Sequence, residues 1–371
     1  GNPSSAAWPE HHVAAAMAMG PGGALRIGTH SGTFHADEAL GCFLLRRTAR
    51  FRDAGVTRSR DPEVHAKMDA LVDVGAVYCH EKHRYDHHQR GFDETFGHGF
   101  GTKLSSAGLV YKHFGREIVS AETGLAMDHP DLNTLYLKMY KHFVEAVDAV
   151  DNGIDQYEIA RGAKRDADGK EKCPDDGATL CRKYLSETSI GHRVAALNAQ
   201  WNEDSGEESQ NARFDQASEL IGNEFLSKLK YYSSAWLPAR SIVSGCLADR
   251  LGVDPSGQVI ELPRYCPWQS HLVDLEEELA AEGQAARILY CVFQDDREKK
   301  WRITCVPEKL GQFGDRKSLP KAWRGLRDAD LDKVAGIEGC TFVHSAGFTG
   351  GHNTREGILQ MARKAVENKE D

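Results

Sequence analysis

The chain has 371 residues, 40% hydrophobic and 27% charged, with a formal charge of -9 and a pI of about 6.0. That length supports one large or two ordinary domains with a sizeable core and no need of a disulfide framework. The acidic balance argues against wrapping duplex nucleic acid through a broad basic face, but it is compatible with a local phosphate site whose field is set by bound cations.

Nine cysteines are scattered along the chain without a C-x-x-C pair, and several lie inside apolar runs. They read as free, buried thiols of a reducing, intracellular compartment. No apolar run approaches the ~20 residues of a membrane span, so no membrane role is expected. Residues 1–24, rich in Ala, Gly, His and Pro, read as a disordered N-terminal segment without signal or transit pattern.

Leu25 to Gly28 is strand-like and enters a turn rich in Gly, Ser and Thr. Glu38 to Arg47 follows as a helix, with Leu40, Phe43 and Leu44 on one face. Val56 to Ser59 and Ala70 to Gly75 are further strands, the latter carrying Asp73. Ser105-Ser106 caps a helix through Leu109, Val110 and Phe114, with Gly115 as its stop. Asp131 to Val150 is helical. Residues 161–179 and 203–211 read as exposed loops, and Phe214 to Tyr232 as a helix broken by Pro238. After about residue 250, Gln258 to Leu262, Ala286 to Phe293, Trp301 to Val306 and Cys340 to His344 are strands. A Gly-rich turn and a helix from Thr354 follow. The alternation predicts an α/β fold: a parallel sheet flanked by helices at 25–240, plus a smaller C-terminal mixed α/β domain at 241–366.

Ionisable residues gather at strand ends, where open α/β sheets bind ligands. His30, His35 and Asp37 lie on one loop entering a helix, and imidazole with carboxylate suits Mn²⁺, Zn²⁺ or Fe²⁺. Read alone, Asp37 is equally a complement to the helix dipole. Asp73 ends an apolar strand and is placed to bridge two cations. In Arg84-Tyr85-Asp86-His87-His88-Gln89-Arg90, adjacent histidines face opposite ways if extended, so one can bind metal while the other meets substrate. Asp86 can orient an imidazole, and Arg84 and Arg90 can neutralise phosphate. Asp148 and Asp151 end an apolar helix, where negative charge calls for a compensating cation. Together these residues suffice for two cations roughly 3.5–4 Å apart sharing a carboxylate, the arrangement of in-line phosphoryl chemistry. In the C-terminal part, the glycines of Ser345 to Arg355 can bring backbone N–H groups to an anion at a helix N-terminus, with His352 and Arg355 adding charge-assisted bonds.

The order of histidine–aspartate loop, strand-end Asp, Asp-His-His and later Asp resembles the DHH phosphoesterase superfamily. More closely, the chain resembles the melanocyte proliferating gene family (Myg-type exonucleases). The resemblance rests on Gly28-Thr29-His30-Ser31-Gly32-Thr33-Phe34-His35, Tyr85-Asp86-His87-His88-Gln89-Arg90, Thr102-Lys103-Leu104-Ser105-Ser106-Ala107-Gly108, Val147-Asp148-Ala149-Val150-Asp151-Asn152-Gly153, Trp236-Leu237-Pro238-Ala239-Arg240, Trp323-Arg324-Gly325-Leu326-Arg327-Asp328 and Gly350-Gly351-His352. It covers about residues 25–366. The superfamily's first motif carries aspartates, and His35 stands where one of them is expected.

The resemblance implies a DHH-type phosphoesterase domain and a substrate-binding C-terminal domain, with the active site in the cleft between them. It implies a metal-dependent 3′–5′ exonuclease on single-stranded RNA, located in mitochondrion and nucleus and using two divalent ions, Mn²⁺ or Mg²⁺. Pyrophosphatase-like action on small substrates such as short oligonucleotides or cyclic dinucleotides, and a non-catalytic regulatory role on the same fold, are the alternatives. The metal ligands implied are His30, His35, Asp37, Asp73, His87 and one of Asp148 and Asp151, with Asp151 favoured because it leads the Asn-Gly turn. Asp86, His87 and His88 are the expected catalytic residues. Arg84, Arg90, Lys103, Gly350, Gly351, His352 and Arg355 are the expected substrate contacts.

Overall fold

The computed structural model describes residues 24–156, 164–165, 171–172, 187–312 and 314–369. The expected disordered segment therefore lies almost wholly outside the described residues, as does most of the 161–179 loop. The chain divides into two compact units, Gly1–Phe225 and Leu226–Asp371. Among the described residues no helix is long and apolar enough to cross a membrane. The seven described cysteines are all free thiols, and five of them are buried.

The first unit contains strands β1 (Arg26–Thr29), β2 (Gly55–Arg58), β3 (Ala70–Val72), β4 (Tyr78–Cys79) and β5 (Arg84–Tyr85). They form one sheet in the order β2-β1-β3-β5-β4. The first four are mutually parallel, with Ile27 opposite both Val56 and Ala70, and β4 runs antiparallel to β5. Helices α1 (Ala36–Leu45) and α2 (Pro62–His65) supply the crossovers. Hairpin β6 (Thr95–Gly97) and β7 (Phe100–Lys103) precedes α3 (Ser106–Thr123), α4 (Pro130–Met139) and α5 (Glu145–Asp151). A second hairpin, β8 (Lys164–Arg165) with β9 (Glu171–Lys172), precedes α6 (Ile190–Ala195) and α7 (Glu207–Tyr231). Parallel strands buried on both faces read as apolar runs, as Ala70-Leu71-Val72 does.

Two expected helix limits move. Gly115 does not stop α3, which runs on to a left-handed Gly124. A Cβ at Gly115 would lie 2.7 Å from the Tyr136 ring and 2.8 Å from the Tyr111 ring, so this glycine serves close packing rather than termination. In the second unit, Pro238 does not break a helix. It sits in the first turn of α8 (Leu237–Ala248), which continues from α7 through a π-helical turn, Tyr232–Trp236. The helix of α4 passes into α5 through a π-helical turn, Tyr140–Val144.

The second unit continues with α9 (Arg250–Val253), β10 (Val259–Leu262), α10 (Gln269–Ala281), β11 (Tyr290–Gln294), β12 (Trp301–Cys305), α11 (Asp328–Ala335), β13 (Cys340–Val343), β14 (Thr349–His352) and α12 (Arg355–Glu367). Its sheet has the order β10-β11-β12-β14-β13, parallel only at β10–β11. The period of two divides β11 between two cores. Tyr290 and Val292 pack with Leu331, Ile358 and Met361 of α11 and α12, while Cys291 and Phe293 pack with Val243 and Leu272 of α8 and α10. The fold is thus α/β, with a mixed sheet in this unit.

Candidate metal centre

Parallel strands carry their reactive residues just past their carboxyl ends. Here β1 is followed by His30, β2 by Arg60, β3 by Asp73 and β5 by Asp86, His87 and His88. Helix α1 starts beside them with Asp37 and Glu38, and α5 ends beside them with Asp151.

Asp73 is the hub. With φ of 56° it takes the left-handed conformation that Asp tolerates, which turns the chain at the end of β3. Its Oδ2 lies 3.4 Å from His30 Nε2. Its Oδ1 lies 3.6 Å from His87 Nε2 and 3.3 Å from His88 Nδ1, and accepts a hydrogen bond from Ser106 Oγ. The two oxygens of one carboxylate thus serve two sets of ligand-type atoms. Among the described residues, three groups have such atoms within 4.8 Å of one another: His30, His35 and Glu38; Asp73, His87 and His88; and Asp37, His87 and Asp151.

Glu38 was missed from sequence, where it reads as the start of a helix. In the structure its Oε1 accepts from the His35 backbone N–H at 2.9 Å and sits 3.0 Å from His30 Nε2. The H-x-x-E spacing of a helix-capping pair is the signal that would have placed it there.

Asp37 is fully buried against the start of α3. Its Oδ1 lies within hydrogen-bond distance of Ser105 Oγ, a hydroxyl whose single proton it shares with Asp148, and it accepts from the backbone N–H groups of Ser106 and Ala107. Burial holds its carboxyl well above the usual carboxylate range, and the charges of Asp73 and Asp151 push the same way. Asp73 goes the other way. Its burial is outweighed by the His30 and His87 imidazoles, which hold it below the usual range. Burial pulls the His30 imidazole down, but Asp73 and Glu38 more than reverse this and raise it to about 10. Asp151 and Asp73 likewise raise His87 to about 10 against its burial. The cluster calls for positive charge from every side.

His87 Nε2 lies 2.9 Å from Asp151 Oδ2 without the alignment of a hydrogen bond. Among the described residues, both ring nitrogens of His87 and Oε2 of Glu38 are buried with no hydrogen-bond partner. Buried polar atoms are normally satisfied. Nitrogen and oxygen donors left unpaired in one cluster fit a divalent cation.

Asp148 does not join the cluster. It is buried, and its Oδ1 accepts from Ser105 N at 3.0 Å and Ser105 Oγ at 2.7 Å, while Oδ2 accepts from Tyr140 OH at 2.9 Å. Burial raises its carboxyl to about 7. Asp151, one helical turn later, is the member of the pair brought to His87.

Asp86 orients an imidazole, and that imidazole is His88: Oδ1 accepts from His88 Nδ1 at 2.9 Å and from its backbone N–H at 3.0 Å. Oδ2 fixes the loop by accepting from Ala76 N. His88 is 62% exposed, and its ring centroid is 4.3 Å from that of His87. The two histidines differ in burial, but they do not face opposite ways as an extended strand would have them: both imidazoles lie beside Asp73 Oδ1.

The cluster forms one wall of a cavity of about 810 Å³. His35 and Arg60 line its rim, and Val147, Val150 and Ile190 an apolar wall. Arg84 is not brought there. Its guanidinium donates to the carbonyls of Met68, Asp69 and Lys82 and braces β3 against β5. Arg90 is exposed and outside the lining, and Lys103 lies 5.5 Å from the Phe92 ring centroid. Arg60 was overlooked from sequence because Ser59-Arg60-Asp61 reads as an ordinary loop.

Of the Gly-rich segment Ser345 to Arg355, residues 345–348 form the expected turn, while Thr349–His352 are strand β14, paired on both sides. Its glycines serve close packing: a Cβ at Gly351 would meet Arg302 at 2.8 Å, and one at Gly350 would meet the Phe342 carbonyl at 3.0 Å. His352 is buried. Its Nε2 donates to the Glu338 carbonyl at 2.9 Å, and its Nδ1 accepts from Thr354 N at 2.9 Å. Arg355 forks onto Glu261 at 2.8 and 2.6 Å. In this structure these groups hold the second unit together rather than presenting an open anion cradle.

The family model MYG1_exonuc, described as "Uncharacterised protein family (UPF0160)", matches residues 26–366. The chain is 46% identical over 350 residues to the MYG1 exonuclease of Bos taurus, covering 93% of this chain and 85% of the bovine protein. The MYG1 exonuclease of Homo sapiens is also 46% identical over 350 residues, covering 93% and 86%. The MYG1 protein of Dictyostelium discoideum is 43% identical over 344 residues, covering 92% and 96%. The chain belongs to the MYG1 family.

Proposed function

We propose that the chain is a metal-dependent phosphoesterase that hydrolyses single-stranded RNA from its 3′ end. The observation that carries this reading is Asp73, whose two oxygens face two separate sets of histidine and carboxylate donors. The exonuclease names of the bovine and human relatives support the reaction class. RNA and the 3′ polarity, with the mitochondrial and nuclear address, rest on the family resemblance.

His30, His35, Glu38 and Asp73 would hold one cation, and Asp37, Asp73, His87 and Asp151 the other. The cations, Mn²⁺ or Mg²⁺, would supply Lewis-acid charge at the phosphoryl oxygens and acidify water. The chain's own residues do the rest. Asp86 holds the His88 ring, and His88 meets the charge that develops on phosphorus. Ser105, Ser106 and Ala107 fix the Asp37 carboxylate before substrate arrives. Residues 25–240 carry the chemistry. The substrate-holding role of 241–366 rests on the resemblance alone.

A second reading, hydrolysis of short oligonucleotides or other small phosphate substrates, is favoured by the finite cavity, which suits a small ligand. Single-stranded RNA and DNA labelled at the 3′ or 5′ end, long and short, separate the two readings. Asp73→Asn keeps a residue that tolerates the left-handed backbone and removes the shared charge. It should abolish Mn²⁺-dependent hydrolysis in a folded protein. Undiminished hydrolysis by that variant would sink the assignment. Less than one equivalent of Mn²⁺ bound by the wild type would favour a non-catalytic protein.

A further inference from the structure

Two arginines at the end of β2 have opposite roles. Arg58 is buried, with its guanidinium 5.4 Å from the Phe34 ring centroid and 4.9 Å from that of Phe214. It donates to the carbonyls of Gly32 and Gln210. It is the brace of the loop that carries His30 and His35. Arg60 is exposed and lines the cavity. Its Nε donates to the Ser31 carbonyl at 3.1 Å, and one terminal nitrogen is 3.3 Å from His30 Nδ1.

A guanidinium has five N–H groups. One is engaged with the Ser31 carbonyl, and a second counts only when His30 Nδ1 carries no proton, leaving about three or four to spare. Among the described residues no carboxylate pairs with Arg60, although four aspartates line the same cavity, and no lysine or second arginine lines it. A planar fork held by one edge, with its other edge open beside a metal-type cluster, matches the geometry of a phosphate group. The apolar surface of Val147, Val150 and Ile190 gives a base or sugar a place to rest.

We infer that Arg60 grips the phosphate of the substrate, the task that the sequence pattern assigns to Arg84 or Arg90. Arg84 donates to four backbone carbonyls, those of Met68, Asp69, Lys82 and His83, and neither it nor Arg90 lines the cavity. The inference rests on the phosphoesterase reading and deepens it.

The test uses the full chain, with Arg60→Ala and Arg60→Lys. A fluorescein-labelled five-nucleotide single-stranded RNA is titrated by anisotropy in Ca²⁺, Mn²⁺ uptake is followed by calorimetry, and hydrolysis is measured in Mn²⁺. Arg60→Ala should weaken RNA binding about ten-fold or more, with the larger part of its kinetic defect in KM. Arg60→Lys should recover part of the binding, since it keeps the charge and loses the fork. Both variants should take up Mn²⁺ as the wild type does. Wild-type RNA affinity in Arg60→Ala would overturn the inference, and so would lost Mn²⁺ uptake, which would make Arg60 a second brace for His30. If the wild type binds RNA and Mn²⁺ but hydrolyses neither RNA nor DNA, the functional reading falls, and the anisotropy ratio still decides the role of Arg60.

Discussion

Asp148 Oδ1 accepts from both the backbone N–H and the hydroxyl of Ser105, the residue that caps α3. That pair fixes the helix start which in turn holds Asp37, so one carboxylate positions another without sharing its task. Asp148→Ala would orphan the buried Ser105 N–H and the Tyr140 hydroxyl and should cost about 2–4 kcal/mol in chemical denaturation. Asp151→Asn removes a negative charge that Asp37 feels but also the partner that raises His87, so the two effects oppose each other and the metal-free protein should change little in stability while Mn²⁺ uptake falls. Equal losses of stability in both variants would contradict this split.

Gly108 lies in the first turn of α3, facing the same carboxylate. Replacing a helix-interior glycine by alanine ordinarily gains about 1 kcal/mol. Here the new Cβ would run into the Asp148 carboxylate, the group that holds Ser105. Gly108→Ala should therefore destabilise, by about 1–3 kcal/mol as overpacking does. A rise in thermal midpoint would show that the Asp148 side chain can move aside.

The strand-end ligands were legible because parallel strands expose their carboxyl ends whatever else the fold does. His30, Asp73 and the Asp86-His87-His88 run each follow a strand within three residues. What stayed hidden depends on distant neighbours. Glu38 looks like a capping residue, and it is one, but its free oxygen also faces the cluster. Asp148 and Asp151 lie three apart on one helix face, and only the approach of α3 decides between them. Gly115 and the Gly350-Gly351 pair read as a stop and a turn, whereas each marks a close approach of side chain or strand. A glycine does not announce which of its two uses applies.

A second histidine group lies behind β5, away from the cavity. The His113 and His80 rings stack at 3.7 Å, and Tyr78 donates its hydroxyl to His113 Nε2 at 2.7 Å. Burial lowers the His113 imidazole to about 4, with the charges of His80 and Lys112 adding to this and those of Glu81 and Glu94 opposing it. A histidine held neutral in the fold contributes stability that is present above its unfolded value near 6.5 and is lost as pH falls toward about 4. His113 is half-buried, so the discounted loss is about 1 kcal/mol, or about 2–4 °C. His113→Phe keeps an aromatic face against His80 and cannot take up the proton. Melting curves between pH 7 and 4 should be flatter for this variant than for the wild type. Parallel pH profiles would remove His113 from the account.

The last prediction concerns His352, the end of the Gly-Gly-His run. If it faced bound phosphate, its loss would weaken substrate binding and leave the fold alone. Its contacts argue otherwise. Nε2 ties β14 to the Glu338 carbonyl ahead of β13, and Nδ1 receives the N–H of Thr354, the residue that caps α12. The ring is also pressed against Gly339 and Gly357, where a Cβ would meet it. His352→Ala should therefore leave a cavity and a buried unpaired N–H. The expected cost is about 2–4 kcal/mol in the stability of the second unit. Hydrogen exchange should show early opening at β13, β14 and the first turn of α12. Native-like exchange there, together with weaker RNA binding, would return His352 to the substrate.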